Sequence, residues 1–281
     1  MPKNNCYHTH NNYCDGKNTI EEMVENAVVQ DIMHIGISSH APLKIFNKWS
    51  ISYQQLENYS LEIERVKKKY ANKLIVFKSL EIDYIPGFTY SFKYFTELLK
   101  LDYTIGSIHL VKNELTNKLW FIDGDKAECQ KNYKSIFNSN IKLAIASYYN
   151  QIREMVETQH PDIIGHLDKV VMNTAGDFFN ENEEWYLEEI EKTLNVIKAN
   201  NTIIEINTRG LYKNKWQTSF PSPAILKMSN KLNIPIVISS DAHSINELIA
   251  NYDTAKEIAL DAGYNYQMMF DNGKWIKTQI I

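Results

Sequence analysis

Two imidazoles one residue apart, His8 and His10, stand near the start of the chain, and an acid and an imidazole at the same offset, Asp241 and His243, stand near its end. Between these pairs lie Asp15, His40, Glu81, His109 and His166. All are side-chain types that ligate transition metals. Imidazole mixed with carboxylate suits zinc, iron or manganese, whereas calcium and magnesium prefer oxygen alone. Residues two apart on a strand share a face. His8 and His10 can therefore grip one ion together or divide between neighbouring ions, and Asp241 and His243 repeat the arrangement. The nine side chains are too many for one ion; a shared carboxylate would let them serve a cluster of two or three.

Such a set does chemistry only if the fold gathers it. Short runs rich in Ile, Val and Thr recur at 5–10, 34–40, 73–83, 103–111, 162–168, 202–208 and 234–241. Several are continuously apolar, as in parallel strands buried on both faces. Helix-start signals lie between them. Thr19 with Glu22 predicts a capping box opening a helix over roughly 20–31, and Ser52 with Gln55 repeats it before a helix near 54–70. Ser222 and Pro223 put proline at a first helical position, and Ser244 with Glu247 opens a helix near 245–262. Further helices are expected near 89–99, 142–158 and 183–199. About seven βα units in one domain over 1–281 point to an α/β barrel rather than an open sheet.

In that frame nearly every strand ends on a candidate ligand, with Asp15 in the loop after the first. Barrel enzymes gather their reactive groups on this C-terminal rim. The polar segment 112–140 is longer than a usual connection and is expected to be an insertion over the site.

Composition narrows the functions. Net charge is -4 and no cluster of Lys or Arg flanks the motifs, which argues against nucleic acid and against anionic membranes. Cys6, Cys14 and Cys129 are odd in number and form no CxxC pair, so a disulfide framework is not expected and a reducing, cytoplasmic setting is. The polar N-terminus lacks the apolar core of a signal peptide, and no apolar run is long enough for a membrane span. Cys6 has the strand parity of His8, which predicts a packing thiol facing the barrel interior. His34 starts a strand and His160 precedes Pro161; both take structural readings.

The motifs HxH (His8, His10), the Asp15 loop, SSHAP (His40), SLEIDY (Glu81), GSIHLV (His109), IIGHLD (His166) and SSDAH (Asp241, His243) resemble the polymerase-and-histidinol-phosphatase (PHP) superfamily. GSIHLV with the downstream LWFIDGD, and EINTRGLYK, are most similar to its histidinol-phosphate phosphatase branch. The resemblance implies a distorted parallel (β/α)7 TIM-like barrel and a trinuclear divalent metal cluster of Zn, Mn or Fe. It implies one metal on His8, His10, Glu81 and Asp241, a second on bridging Glu81, His109 and His166, and a third on Asp15, His40 and His243. Some members carry His where this chain has Asp15. The implied activity is hydrolysis of L-histidinol phosphate to L-histidinol and phosphate, as in histidine biosynthesis; the alternative is a PHP-type phosphoesterase or nuclease acting on nucleotides or DNA ends.

Clustered metals lower the pKa of a bridging water, and the resulting hydroxide would attack phosphorus in line. Asp241 or His243 would protonate the leaving alcohol. Arginine occurs only three times. Arg209, directly after the sixth strand, is the candidate bidentate phosphate contact, and Arg153 on the helix before the fifth strand is a second. Trp120 and Phe121 are candidates to line a pocket for an aromatic ring such as imidazole.

Overall fold

The computed structural model describes residues 4–280. Strands β1 (Asn5–Cys6), β2 (His34–Ile37) and β3 (Ile75–Lys78) form one parallel arc. A second parallel arc contains β4 (Glu81–Asp83) and β5 (Ile105–Ser107). The chain then leaves the arc for an antiparallel hairpin, β6 (Leu110–Lys112) and β7 (Leu119–Phe121). It returns with β8 (Ile163–Ile164), β9 (Ile203–Asn207) and β10 (Ile236–Ser239), in the spatial order β10-β9-β8-β5-β4.

Backbone hydrogen bonds join the arcs at both ends. His10 N donates to Ala242 O at 2.7 Å, and Ala242 N to His8 O at 3.2 Å. Ala41 N donates to Glu81 O at 2.8 Å, and Glu81 N to Ser38 O at 3.1 Å. β3 and β4 are two halves of one strand position, broken at Ser79 and Leu80. The result is the expected distorted barrel of seven parallel positions. Its strands are continuously apolar because both faces are covered: all four residues of β2 and of β10 are buried.

Helices wrap the outside: α1 (Ile20–Val29), α2 (Leu56–Tyr70), α3 (Phe92–Leu99), α4 (Lys126–Ile136), α5 (Ile141–Gln159), α6 (Glu184–Ala199), the single turn α7 (Arg209–Tyr212), α8 (Pro223–Lys231) and α9 (Tyr252–Asp261). None of the described helices is long and apolar enough to cross a membrane. Thr19 and Glu22 form the capping box of α1, and Pro223 sits at the start of α8. His160 ends α5 in the left-handed conformation, φ +50°, before Pro161.

Two expected caps do not form. Ser52 Oγ donates to the Gln55 side chain at 3.0 Å instead of capping, and a short 3-10 turn precedes α2. Glu247 accepts from His243 N at 2.8 Å, so its carboxylate anchors the preceding loop and the helix waits until Tyr252. Segment 112–140 supplies β7 and α4 and carries Phe121 and Asp123 to the mouth of the barrel.

The N-terminal end of the barrel is plugged by a C-terminal hairpin absent from the sequence expectation, β11 (Tyr266–Asp271) and β12 (Lys274–Gln279). Phe270 and Trp275 pack on Tyr7, Phe77 and Tyr103, and Phe270 N donates to the Tyr7 hydroxyl at 3.0 Å. Gly36 leaves room for this layer: a Cβ there would lie 1.7 Å from the Tyr103 hydroxyl. Strand alternation breaks after Tyr7. Tyr7 faces the aromatic plug while the next residue, His8, also turns inward to Glu205. Cys6 consequently faces outward, 3.4 Å from Ser240 Oγ and beside Tyr252 of α9, and the expectation that it faces inward is corrected.

Candidate metal centre

The nine candidate ligands meet at the C-terminal mouth. Glu81, the first residue of β4, is 1% exposed and sits in the middle. Its Oε2 lies 3.0 Å from His40 Nδ1, 3.2 Å from His8 Nε2 and 3.3 Å from His10 Nε2. Its Oε1 lies 3.0 Å from His166 Nε2 and 4.0 Å from His109 Nε2. One carboxylate thus faces five imidazoles, with an oxygen toward each side. Asp241 Oδ1 lies 3.2 Å from His10 Nε2, 3.8 Å from His8 Nε2 and 3.4 Å from His243 Nδ1. Asp15 Oδ1 lies 3.3 Å from His243 Nε2 and 3.9 Å from His40 Nε2.

Buried polar atoms are normally paired. Here His8 Nε2, His10 Nε2, His40 Nδ1, Glu81 Oε2 and Asp241 Oδ1 are buried without hydrogen-bond partners, all aimed at one small volume. Mixed nitrogen and carboxylate donors at this spacing fit divalent metal, which would satisfy atoms that nothing else satisfies. Three donor groups answer the description: His10, Asp15, His40 and His243; His8, His10 and Glu81; and His40, Glu81 and His109.

The backbone is bent to the purpose. His166 and Asp241 have φ of +29° and +54°. The left-handed region costs a non-glycine residue energy, and such outliers gather at functional sites. Both turns fall where a strand ends and swing the side chain inward.

Two buried acids that the sequence reading did not single out hold the imidazoles in place. Glu205 Oε1 accepts from His8 Nδ1 at 2.7 Å, while its Oε2 accepts from His166 N at 3.0 Å. Asp83 Oδ1 accepts from His109 Nδ1 at 2.8 Å and from His109 N at 2.9 Å. An acceptor on Nδ1–H leaves the Nε2 lone pair free for metal. The sequence carries a signal for both: each is an acid within an apolar strand, as Glu81 is.

Electrostatics agree with a cation site. Burial opposes ionisation of Glu81, yet His40 and His8 hold its pKa well below the carboxylate range. Burial likewise opposes ionisation of Asp241, and His8 and Arg209 outweigh it. Burial disfavours charge on His8, but Glu205, Glu81 and Asp241 push its pKa up to about 10. Burial carries His40 down to about 3 against the pull of Glu81. These acids are anionic and call for positive charge.

Over the ligands lies a cavity of about 100 Å³, lined by Trp49, Phe121, Asp123, Lys169 and Arg209. Arg209 Nη1 donates to Asp241 O at 2.8 Å and lies 2.7 Å from His243 Nδ1. Lys169, not foreseen, is 5% exposed; its Nζ is 2.8 Å from Asp123 Oδ2 and 3.3 Å from His109 Nε2. Trp49 and Phe121 stack, with centroids 5.2 Å apart at 19°. Trp120 is fully buried and donates to Cys129 O, so only Phe121 of the expected aromatic pair reaches the site. Arg153 does not reach it: its guanidinium donates to Glu189 and Thr193 of α6, both at 3.0 Å. The side chain leaves the outer face of α5, which corrects the expected phosphate contact.

The sequence pattern of the PHP domain matches residues 7–209. A histidinol-phosphatase of Bacillus subtilis is 25% identical over 267 residues, spanning 89% of this chain and 97% of that protein. A crystal structure from Listeria monocytogenes superposes with a TM-score of 0.75 at 23% identity, covering 89% of this chain and 99% of the other. The histidinol phosphate phosphatase of Lactococcus lactis, solved with zinc, L-histidinol and phosphate, superposes with a TM-score of 0.71 at 18% identity over 98% and 99% of the two chains. These likenesses carry the barrel fold.

Proposed function

Because this chain belongs to the PHP domain family, we propose that it is a metal-dependent phosphomonoesterase that hydrolyses L-histidinol phosphate to L-histidinol and phosphate. The observation that carries the reading is the convergence of unpaired buried nitrogen and carboxylate atoms around Glu81, beneath a small mouth carrying Arg209 and Lys169. The proposed grouping of ligands is the one that the family resemblance implies, and the gathering of these side chains at one mouth supports it. His8, His10, Glu81 and Asp241 hold one ion; Glu81, His109 and His166 hold a second; Asp15, His40 and His243 hold a third, with zinc, manganese or iron suiting the donors. Bound there, such a cluster supplies activated water and offsets charge on the phosphoryl group.

The chain's own residues do the rest. Arg209 and Lys169 both line the cavity and neutralise phosphoryl oxygens as charge develops. Asp123 holds the Lys169 ammonium over His109. Asp241 is held ionised, which suits it to ligation. Burial and the neighbouring His10 lower the pKa of His243, and Arg209 beside it adds to this, so His243 too is held in the form that suits ligation. The stacked Trp49 and Phe121 give a flat wall for an aromatic head group. A cavity of about 100 Å³ has room for only a few water-sized groups, which suits a monoester terminus over a duplex.

The test is phosphate release from L-histidinol phosphate beside an aryl phosphate and a short single-stranded DNA, with metal content measured. Turnover of histidinol phosphate alone, lost on chelation and lost in His109→Ala with the fold intact, is the expected result. Activity on DNA alone transfers the function to the nuclease class; full activity of His109→Ala at normal metal content removes the ligand assignment.

A further inference from the structure

His8 and His109 each lean on a buried carboxylate, Glu205 and Asp83. His10 has no such partner. Its Nδ1 faces Cys14 Sγ at 3.5 Å, and that sulfur lies 3.4 Å from the carbonyl oxygen of Asn11. Asp15 Oδ1 is 3.8 Å from the same nitrogen, outside hydrogen-bond range. His10 is fully buried, and its partnerless Nε2 points at Glu81 and Asp241.

The two sulfur contacts have one consistent polarity. The thiol hydrogen goes to Asn11 O, the sulfur accepts Nδ1–H of His10, and Nε2 keeps its lone pair for metal. The loop is built to hold this geometry. Cys14 N and Gly16 N both donate to Asn11 O, at 3.0 and 3.1 Å. A Cβ at Gly16 would lie 2.3 Å from Asn11 N, so only glycine lets the loop fold back this closely on His10.

We propose that Cys14 is a positioning residue of the metal centre, its sulfur fixing the tautomer and ring orientation of His10. This rests on the metal-centre reading above. It extends to His10 the arrangement that Glu205 and Asp83 provide for His8 and His109, with a neutral sulfur in place of a carboxylate. Loss of an outer partner typically weakens metal binding ten- to a hundredfold, and a sulfur acceptor belongs at the low end.

The experiment measures zinc affinity and stoichiometry of the whole protein by chelator competition, with absorption spectra of the cobalt-loaded form. Cys14→Ala should bind zinc about tenfold more weakly at unchanged stoichiometry, with the metal-free thermal midpoint unchanged. Cys14→Ser should recover most of the loss, because a hydroxyl makes the same two bonds. Cobalt-loaded wild type should show no sulfur-to-cobalt charge-transfer band. Equal zinc affinity in wild type and Cys14→Ala overturns the proposal and leaves the metal centre standing. A charge-transfer band lost in Cys14→Ser also overturns it, by making the thiolate a direct ligand. A wild-type protein that takes up no zinc overturns both readings.

Discussion

Glu205 is the residue on which two of the candidate ligand histidines depend, since its two oxygens serve the His8 ring and the His166 backbone. It also accepts from Asn207 Nδ2 at 2.9 Å. Its Gln variant keeps the shape but offers His8 Nδ1 an amide in place of an anion. Glu205→Gln is therefore expected to weaken zinc binding by about ten- to a hundredfold while the protein stays folded. Chelator competition measures this, and an affinity within twofold of wild type would show that Glu205 only packs. The strained backbone at His166 has the same logic. A left-handed turn is tolerated where surrounding contacts over-determine it, and Glu205 supplies one of those contacts.

Among the elements, the β11–β12 hairpin shows what a barrel of short strands requires. β1 and β8 are two residues long, so side chains of the staves alone do not fill the N-terminal end. Phe270 closes it, 4% exposed, with ring centroids 5.1 Å from Phe77 and 4.9 Å from Trp275. Phe270→Ala should cost about 3–5 kcal/mol, a large part of the ~5–15 kcal/mol that stabilises an ordinary domain. Denaturant unfolding measures it; a loss below about 1 kcal/mol would mean that the hairpin is peripheral. The helix starts carry a related lesson. Thr19–Glu22 forms its box, whereas Ser52–Gln55 and Ser244–Glu247 spend the same residues elsewhere. A cap pattern states which bonds are available, and the path of the incoming chain decides which are made.

At the scale of the molecule, folding brings Glu81, Asp241 and Asp15 to one mouth with six imidazoles, leaving six of their buried polar atoms without hydrogen-bond partners. Metal binds this arrangement and not the unfolded chain, so metal stabilises the fold. Saturation at a hundredfold over the dissociation constant is worth about 2.7 kcal/mol per site. Chelation should lower the thermal midpoint by several degrees, and zinc should restore it. A midpoint indifferent to chelator, in protein shown to have carried metal, would contradict the coupling.

The sequence by itself singled out the nine candidate ligands that the fold gathers at one mouth, because metal donors are chemically distinctive and strand ends are legible from apolar runs. It also determined the βα alternation and the place of the insertion over the mouth. Those properties are local, written in residue type and spacing. Only the tertiary structure decided what depends on neighbours distant along the chain. Arg153 turned outward because Glu189 lay within reach, and Lys169 turned inward because Asp123 did. Cys6 changed sides because β1 loses its alternation at Tyr7, where the C-terminal hairpin docks. Strand parity holds only while pairing is regular, and a long cation goes to whichever carboxylate the fold brings near it.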